Sequence, residues 1–244
     1  MQPAYYRDDL ALVHHLGFGT HADACAPGIL ALLEPVRERR GLVLELGCGS
    51  GRLTRHLIDA GHRVVATDAS LSMLALARDH TRGAEDIRQL TLPEDPLPEV
   101  DAIVSVGHAL SYLPNEAALE KAMTAIGMAL RVGGVLALDL CDVAWGQVRR
   151  DTPMAAWVQD DWALVTRFSI TEANRFVREM TTFVRNHDGC WRRDDERHEN
   201  ILIDTAKMPA VLARHGIAAK VAPSFGSEKL PEWLVAIVGM KSPA

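Results

Sequence analysis

Cysteine is scarce in this chain and badly spaced for a metal or a disulfide framework. The four residues, at 25, 48, 141 and 190, form no C-x-x-C pair. That pattern predicts reduced thiols and no metal site. Positive charge is in deficit as well: 26 Lys and Arg face 32 Asp and Glu, a net charge of −6. Such a balance argues against a basic nucleic-acid-binding face. No apolar run reaches the roughly 18 residues that a membrane span requires, and no basic-then-apolar leader opens the chain. The expected setting is therefore cytoplasmic, with no membrane partner. Internal repeats and low-complexity tracts are missing too. What is plentiful is apolar side chain, 48% of 244 residues, enough for one sizeable core or a core with a cap.

The chain is organised around Leu42–Arg52, LVLELGCGSGR. Leu42 to Leu46 is a short, mostly apolar run between Gly41 and Gly47, as suits a buried strand of a parallel sheet. Gly47, Gly49 and Gly51 then permit close approach of a ligand to the main chain. A helical pattern follows with Leu53, Leu57 and Ile58, ending at Gly61. The N–H groups at its start suit polar or anionic ligand groups. A second strand, Arg63 to Thr67, ends at Asp68, where an acid grips a ribose diol in dinucleotide sites.

An acid two residues before the first of three alternate glycines, then Asp68, resembles the motif set of the class I, Rossmann-like S-adenosylmethionine (SAM) dependent methyltransferases of small molecules. The resemblance covers about residues 41–140. It implies a seven-stranded, mostly parallel α/β sheet with an antiparallel last strand. It implies SAM as cofactor and S-adenosylhomocysteine as product. The implied cofactor contacts are Glu45 on the ammonium, the turn of Gly47, Cys48, Gly49 and Gly51, then Asp68 with Ala69 on the ribose. Asp86 and Ile87, before the exit of a third strand over Ile87–Leu90, would meet the adenine, and Val106 closes the list. "LRVGGVLALDL" resembles the family's L-x-P-G-G entry to the fifth strand, with Val132 in place of proline.

Taken in order, residues 1–40 form an N-terminal helical arm. Asp8 or Asp9 caps a first helix through Leu16, and Pro27 opens a second. The arm either packs across the sheet or, as the resemblance implies, acts as a lid that places Tyr5 and His14 against the substrate. His14 and His15 diverge by about 100° on a helix, so only one faces inward; the reading places His14 there. Ser70 and Asn115 are N-cap candidates for later helices. Residues 41–140 are the cofactor core, with a fourth strand over Val100–Val106. His108 follows that strand, at the carboxyl edge where ligands bind in open α/β sheets. It is the catalytic candidate, as a base, as a binding group or as a structural residue. Tyr112 is a second candidate for substrate contact.

Residues 141–203 break the alternating β-α pattern and predict an inserted antiparallel cap, which either roofs the site or pairs two copies as a homodimer. Trp162 to Ile170 alternates, the β-branched 181, 182 and 184 favour strand over helix, and Asp188-Gly189 signals a two-residue hairpin turn. On the returning strand Arg192, Asp194, Glu196, His198 and Asn200 share one face, so Glu196 and His198 are substrate-contact candidates. Residues 204–244 complete the core sheet: Asp204 caps a helix, and strands over Ile217–Val221 and Trp233–Val238 follow.

The function expected is methylation of oxygen or nitrogen on a small metabolite, possibly a natural-product intermediate. Four rivals stay open: an RNA or protein methyltransferase, a SAM enzyme of other chemistry such as cyclisation, a non-catalytic binding partner, and a dehydrogenase. The last is opposed by Arg52, which stands where the third glycine of G-x-G-x-x-G belongs.

Overall fold

The computed structural model describes residues 5–146, 154–171 and 175–243. A seven-stranded sheet runs β10-β11-β5-β4-β1-β2-β3. Its strands are β1 (Leu42–Leu46), β2 (Arg63–Asp68), β3 (Asp86–Gln89), β4 (Val100–Ser105), β5 (Leu130–Cys141), β10 (Ile217–Ala222) and β11 (Leu234–Lys241). β1 pairs in parallel with β2 and β4, and β11 alone runs antiparallel to both its neighbours. The expected architecture and its reversed last hairpin are therefore present.

The central strands are apolar on both faces because helices cover both. Leu44 and Leu46 of β1 pack with Ile103, Leu136 and Leu138 against α5 (Glu116–Ala129) and α6 (Met208–Ala213). Val43, Val104 and Ala137 point the other way, against α2 (Thr20–Glu38) and α3 (Arg52–Asp59). α1 (Asp8–Gly17) and α4 (Leu71–His80) complete the helices named here. Ser70 and Asn115 cap α4 and α5 as read, their side chains accepting the N–H of Met73 and Ala118. Asp204, by contrast, precedes a 3-10 turn and makes no side-chain cap.

Pro27 does not open the second helix. α2 begins seven residues earlier, at Thr20, and carries both Pro27 and Pro35 inside it. Its stripe of Cys25, Ile29, Leu33 and Val36 is fully buried, while Pro27 sits on the exposed face. A carbonyl that loses its proline-blocked partner there can turn to water, so burial of the stripe outweighs the lost bond.

The inserted sheet is real and has one strand more than read: β6 (Met154–Val158), β7 (Trp162–Ile170), β8 (Arg175–Arg185) and β9 (Trp191–Ile201), all antiparallel. The β8–β9 connection is not a two-residue turn. Asn186 and Cys190 still bond, and the Gly189 N–H closes a turn on the Asn186 carbonyl. With Gly189 at φ +84, this is the longer hairpin in which a type I turn is followed by a left-handed glycine. The sheet packs Trp162, Leu164, Met180 and Val184 against Leu10 and Val13 of α1.

Replacing Asn115 with Ala removes the α5 cap and should cost about 1 kcal/mol. For a chain of this size that lowers the melting temperature by about 2–4 °C, which calorimetry would register; an unchanged melt would deny the cap its role.

Candidate active site

At the carboxyl edge of β1, β2, β3 and β4 the structure opens a cavity of about 560 Å³, within the usual range for a small-molecule site. Its floor is the glycine turn. Gly47 and Gly49 have φ of +70 and +55, a region that favours glycine. A Cβ on Gly47 would lie 2.4 Å from Ala109 Cβ, whereas one on Gly49 would meet only Met73 Sδ, at 4.0 Å. The Gly49 backbone is thus bare towards the cavity, a cradle that a side chain would fill. Gly51, at φ +84, starts α3 and lies behind the wall.

Asp68, at the exit of β2, accepts the N–H groups of Gly49 and Ser70, each at 2.8 Å. Burial pushes its carboxyl above the ordinary value, and the backbone donors oppose the shift. Cys48, Asp68, Ala69 and Val106 all line the cavity, with Gly47 and Gly49.

Glu45 does not join them. On β1 it points to the same side as Val43, into the α3 layer, where Thr54 Oγ1 donates to its carboxylate at 2.6 Å. Burial raises its pKa to about 8. Nor does the structure bring Asp86 and Ile87 to the wall. β3 is parallel to β2, with Gln89 beside Asp68 and Asp86 beside Val65. Asp86 is therefore about 10 Å back from the carboxyl edge, where it pairs with Arg88. Gln89, Leu90 and Thr91 occupy the wall in its place.

The upper wall comes from the N-terminal arm and the segment after β4. Tyr5, Tyr6, His14 and Tyr112 line it, so the arm does cover the cavity and His14 does face inward. His108, at φ +51, donates its backbone N–H to Asp139. Its imidazole sits between Tyr112 and Trp145, off the cavity wall.

Behind the tyrosines lies a buried polar relay that the period-2 reading of β9 foresaw only in part. Glu196, His198 and Asn200 are buried, as their shared face predicted, but Glu196 and His198 stand one layer behind the cavity. His198 Nε2 lies 2.8 Å from Glu196 Oε2. Since a carboxylate only accepts, Nε2 carries the proton and Nδ1, 3.2 Å from Tyr112 Oη, accepts the tyrosine O–H. Tyr112 Oη is 2.9 Å from Tyr6 Oη and also takes a hydrogen bond from Arg178. Glu196 further accepts the backbone N–H groups of Tyr6 and Arg7, both at 2.8 Å. Burial pushes His198 down to about 4, Arg178 lowering it further while Glu196 opposes. His14 is likewise lowered to about 4, by burial first and then by Arg178.

Sequence reasoning missed three residues. Asp139, wholly buried near the end of β5, accepts the N–H groups of Gly107 and His108 and bonds His21 Nε2 at 2.9 Å. His21 faces the cavity from the start of α2. A lone acid in the apolar run LALDL was the available signal. The third is Arg178, whose signal was a cation on the face that Phe176 and Met180 bury. Among the described residues no cluster of His, Cys, Asp or Glu suits a metal ion.

Residues 43–134 match a family model described as a methyltransferase domain. A putative methyltransferase, YqeM of Bacillus subtilis, is 24% identical over 214 residues, covering 81% of this chain and 85% of the relative. A SAM-dependent methyltransferase from Clostridium acetobutylicum superposes with a TM-score of 0.77 at 16% identity, covering 96% of this chain and 98% of that one. The sugar N-methyltransferase KedS8 from Streptoalloteichus superposes with a TM-score of 0.76 at 19% identity, covering 100% and 97%. Residues 43–134 thus carry a methyltransferase domain, on the fold of the class I, Rossmann-like SAM-dependent methyltransferases. The cavity at the carboxyl edge has the glycine cradle and the acid that suit SAM.

His198 ties stability to pH. An imidazole held below its ordinary 6.5 binds its proton less readily folded than unfolded. Stability is therefore full above pH 6.5 and falls as pH drops towards about 4, by about 3 kcal/mol for such a group. His198→Gln should flatten that acid limb in urea titrations at a series of pH values; an unchanged slope would assign the limb to other groups.

Proposed function

We propose that this enzyme methylates an oxygen or nitrogen of a small molecule held in the upper part of the cavity. The observation that carries the reading is the division of that cavity. Its lower half is main chain and Asp68, and its upper half is roofed by Tyr5, Tyr6 and His14 of the arm with Tyr112 below them. A roof pinned by Glu196 leaves a chamber for a compact acceptor rather than a groove for a polymer. The overall likeness to KedS8, a sugar N-methyltransferase, supports the same class of acceptor.

SAM, when bound, supplies a methyl group on a sulfonium, and transfer is an in-line displacement that the protein promotes chiefly by positioning and by excluding water. The Gly47–Gly49 backbone and Cys48, with Val106, would hold the methionine end. Asp68 and Ala69 would hold the ribose, and Gln89, Leu90 and Thr91 would meet the adenine. His14 is neutral at pH 7 and faces the chamber. His21 also faces it, held by Asp139. Either imidazole can receive a proton from an acceptor O–H or N–H. His108 holds the segment after β4 in place through its backbone bond to Asp139.

Thermal melting with SAM, S-adenosylhomocysteine and NAD, side by side, tests the cofactor half. Ligand about 100-fold above its Kd stabilises by about 2.7 kcal/mol, a shift of roughly 5–10 °C here. A response to NAD alone would overturn the reading. Hydrogen bonds to a charged group contribute about 1.5–3 kcal/mol each, so Asp68→Ala should weaken SAM binding by roughly tenfold to a few hundredfold while leaving the fold intact. Unchanged affinity by titration calorimetry would remove Asp68 from the site. Methyl transfer from labelled SAM to a panel of small hydroxyl and amino compounds, set against transfer to RNA and protein, decides the acceptor class.

A further inference from the structure

Arg178 carries a positive charge in the roof and has no carboxylate partner among the described residues; its hydrogen bonds go to Tyr112 and Asn200. It lies on β8, on the face that buries Phe176 and Met180. One terminal nitrogen donates to Tyr112 Oη and, at 3.1 Å, to Asn200 Oδ1. Its guanidinium carbon sits 5.6 Å from the Tyr112 ring centre. Its Nε is shielded from solvent and has no hydrogen-bond partner among the described residues, and the same holds for Asn200 Nδ2. Arg178 as a whole is half-buried, yet a guanidinium with a nitrogen shielded from water is normally paired, because desolvating a charge is costly.

Among the described residues, the acids beside it on β8 and β9 are engaged elsewhere. Glu196 is taken up by the N–H groups of Tyr6 and Arg7 and by His198. Glu199 pairs with Arg175 and Arg197. Glu179, adjacent on β8, points outward to Arg197. The groups that act most on Arg178 are Tyr112, Tyr6 and Cys141, none of them a carboxylate. Its field reaches the chamber all the same, since it helps to hold both His14 and His198 neutral. Tyr6 and Tyr112 line that chamber, and their hydroxyls are 2.9 Å apart, with Arg178 donating to that of Tyr112.

We infer that the methyl acceptor is an acid. It brings an anionic oxygen, a carboxylate or its equivalent, to the Tyr6 hydroxyl, whose O–H turns to it from Tyr112 Oη, and Arg178, which still donates to Tyr112, is its counter-ion. This rests on the reading of the upper chamber as the acceptor site. An anion would also be the complement of the sulfonium that SAM would bring to the lower chamber, so roof and cofactor would favour the same sign of charge. One other carboxylate is chemically equivalent, that of the cofactor's own methionine end, and the test separates the two.

The probes are benzoate and phenylacetate with their uncharged amides, titrated into the full chain saturated with S-adenosylhomocysteine. In the unaltered protein the acids should bind at least about tenfold more tightly than the amides, the margin of one charged hydrogen bond. Arg178→Met should erase that margin, and Arg178→Lys should keep part of it. The same variants are titrated with S-adenosylhomocysteine and with 5′-methylthioadenosine, which lacks the carboxylate; unchanged binding of both shows that the variants fold and that the cofactor half is intact. Amides binding as well as acids, or no binding by either acid, would overturn the proposal from the unaltered protein alone, whatever becomes of the variants. A margin that survives Arg178→Met would do the same. Loss of S-adenosylhomocysteine binding with methylthioadenosine binding retained would assign Arg178 to the cofactor and overturn it too. Failure of the unaltered protein to bind S-adenosylhomocysteine would instead remove the parent reading, and this one with it.

Discussion

One carboxylate makes the upper half of the site. Glu196 projects from the inner face of β9 and holds two consecutive backbone N–H groups of the arm, those of Tyr6 and Arg7. Its remaining capacity fixes the His198 ring, and through it the Tyr112 hydroxyl. Hydrogen bonds to a charged acceptor are among the stronger ones available, and burial leaves water no means of replacing them. The arm gains further hold from outside. Arg7 reaches Asp194, Arg192 reaches Asp9, and Ser70 donates to the Tyr6 carbonyl. Tyr5 and Tyr6 can line the cavity only because that clamp holds their backbone at the roof.

The lower half depends on different physics. There the main chain itself is the binding surface, kept bare by glycine and braced by Asp68 on the Gly49 N–H. Asp139 performs the matching task one strand over, gathering the Gly107 and His108 amides and the start of α2. Each carboxylate sits at or near the end of one strand and fixes the loop that leaves the neighbouring strand. The cavity is thus framed by buried acids that accept from the protein's own donors, while Arg178 has no carboxylate partner among the described residues.

Much of this was legible in the sequence, for identifiable reasons. The glycine turn, Asp68 and the caps at Ser70 and Asn115 are local devices, and local devices show in local sequence. Alternation along β9 likewise foretold which side chains go inward. The failures concern direction and register. The motif puts Glu45 at the ligand, but a strand alternates, and Glu45 falls to the α3 side. The family pattern puts Asp86 at a strand exit that in fact lies three residues later, at Gln89. Local preference makes Pro27 a helix start, whereas the buried stripe of α2 carries the helix through it. Arg178, His21 and Asp139 act through partners dozens of residues away, which spacing does not reveal.

The clamp also orders events in time. Tyr6 and Glu196 stand 190 positions apart in the chain. During synthesis the arm leaves the ribosome first, yet its docking surface is made only when β9 has emerged and paired with β8. The parallel strands that carry the glycine turn can pair earlier, from segments much closer together. Non-local closure of this kind is slow and comes late. The cofactor cradle therefore precedes the acceptor chamber in assembly, and the tyrosines of the arm remain without their pocket until nearly the whole chain exists.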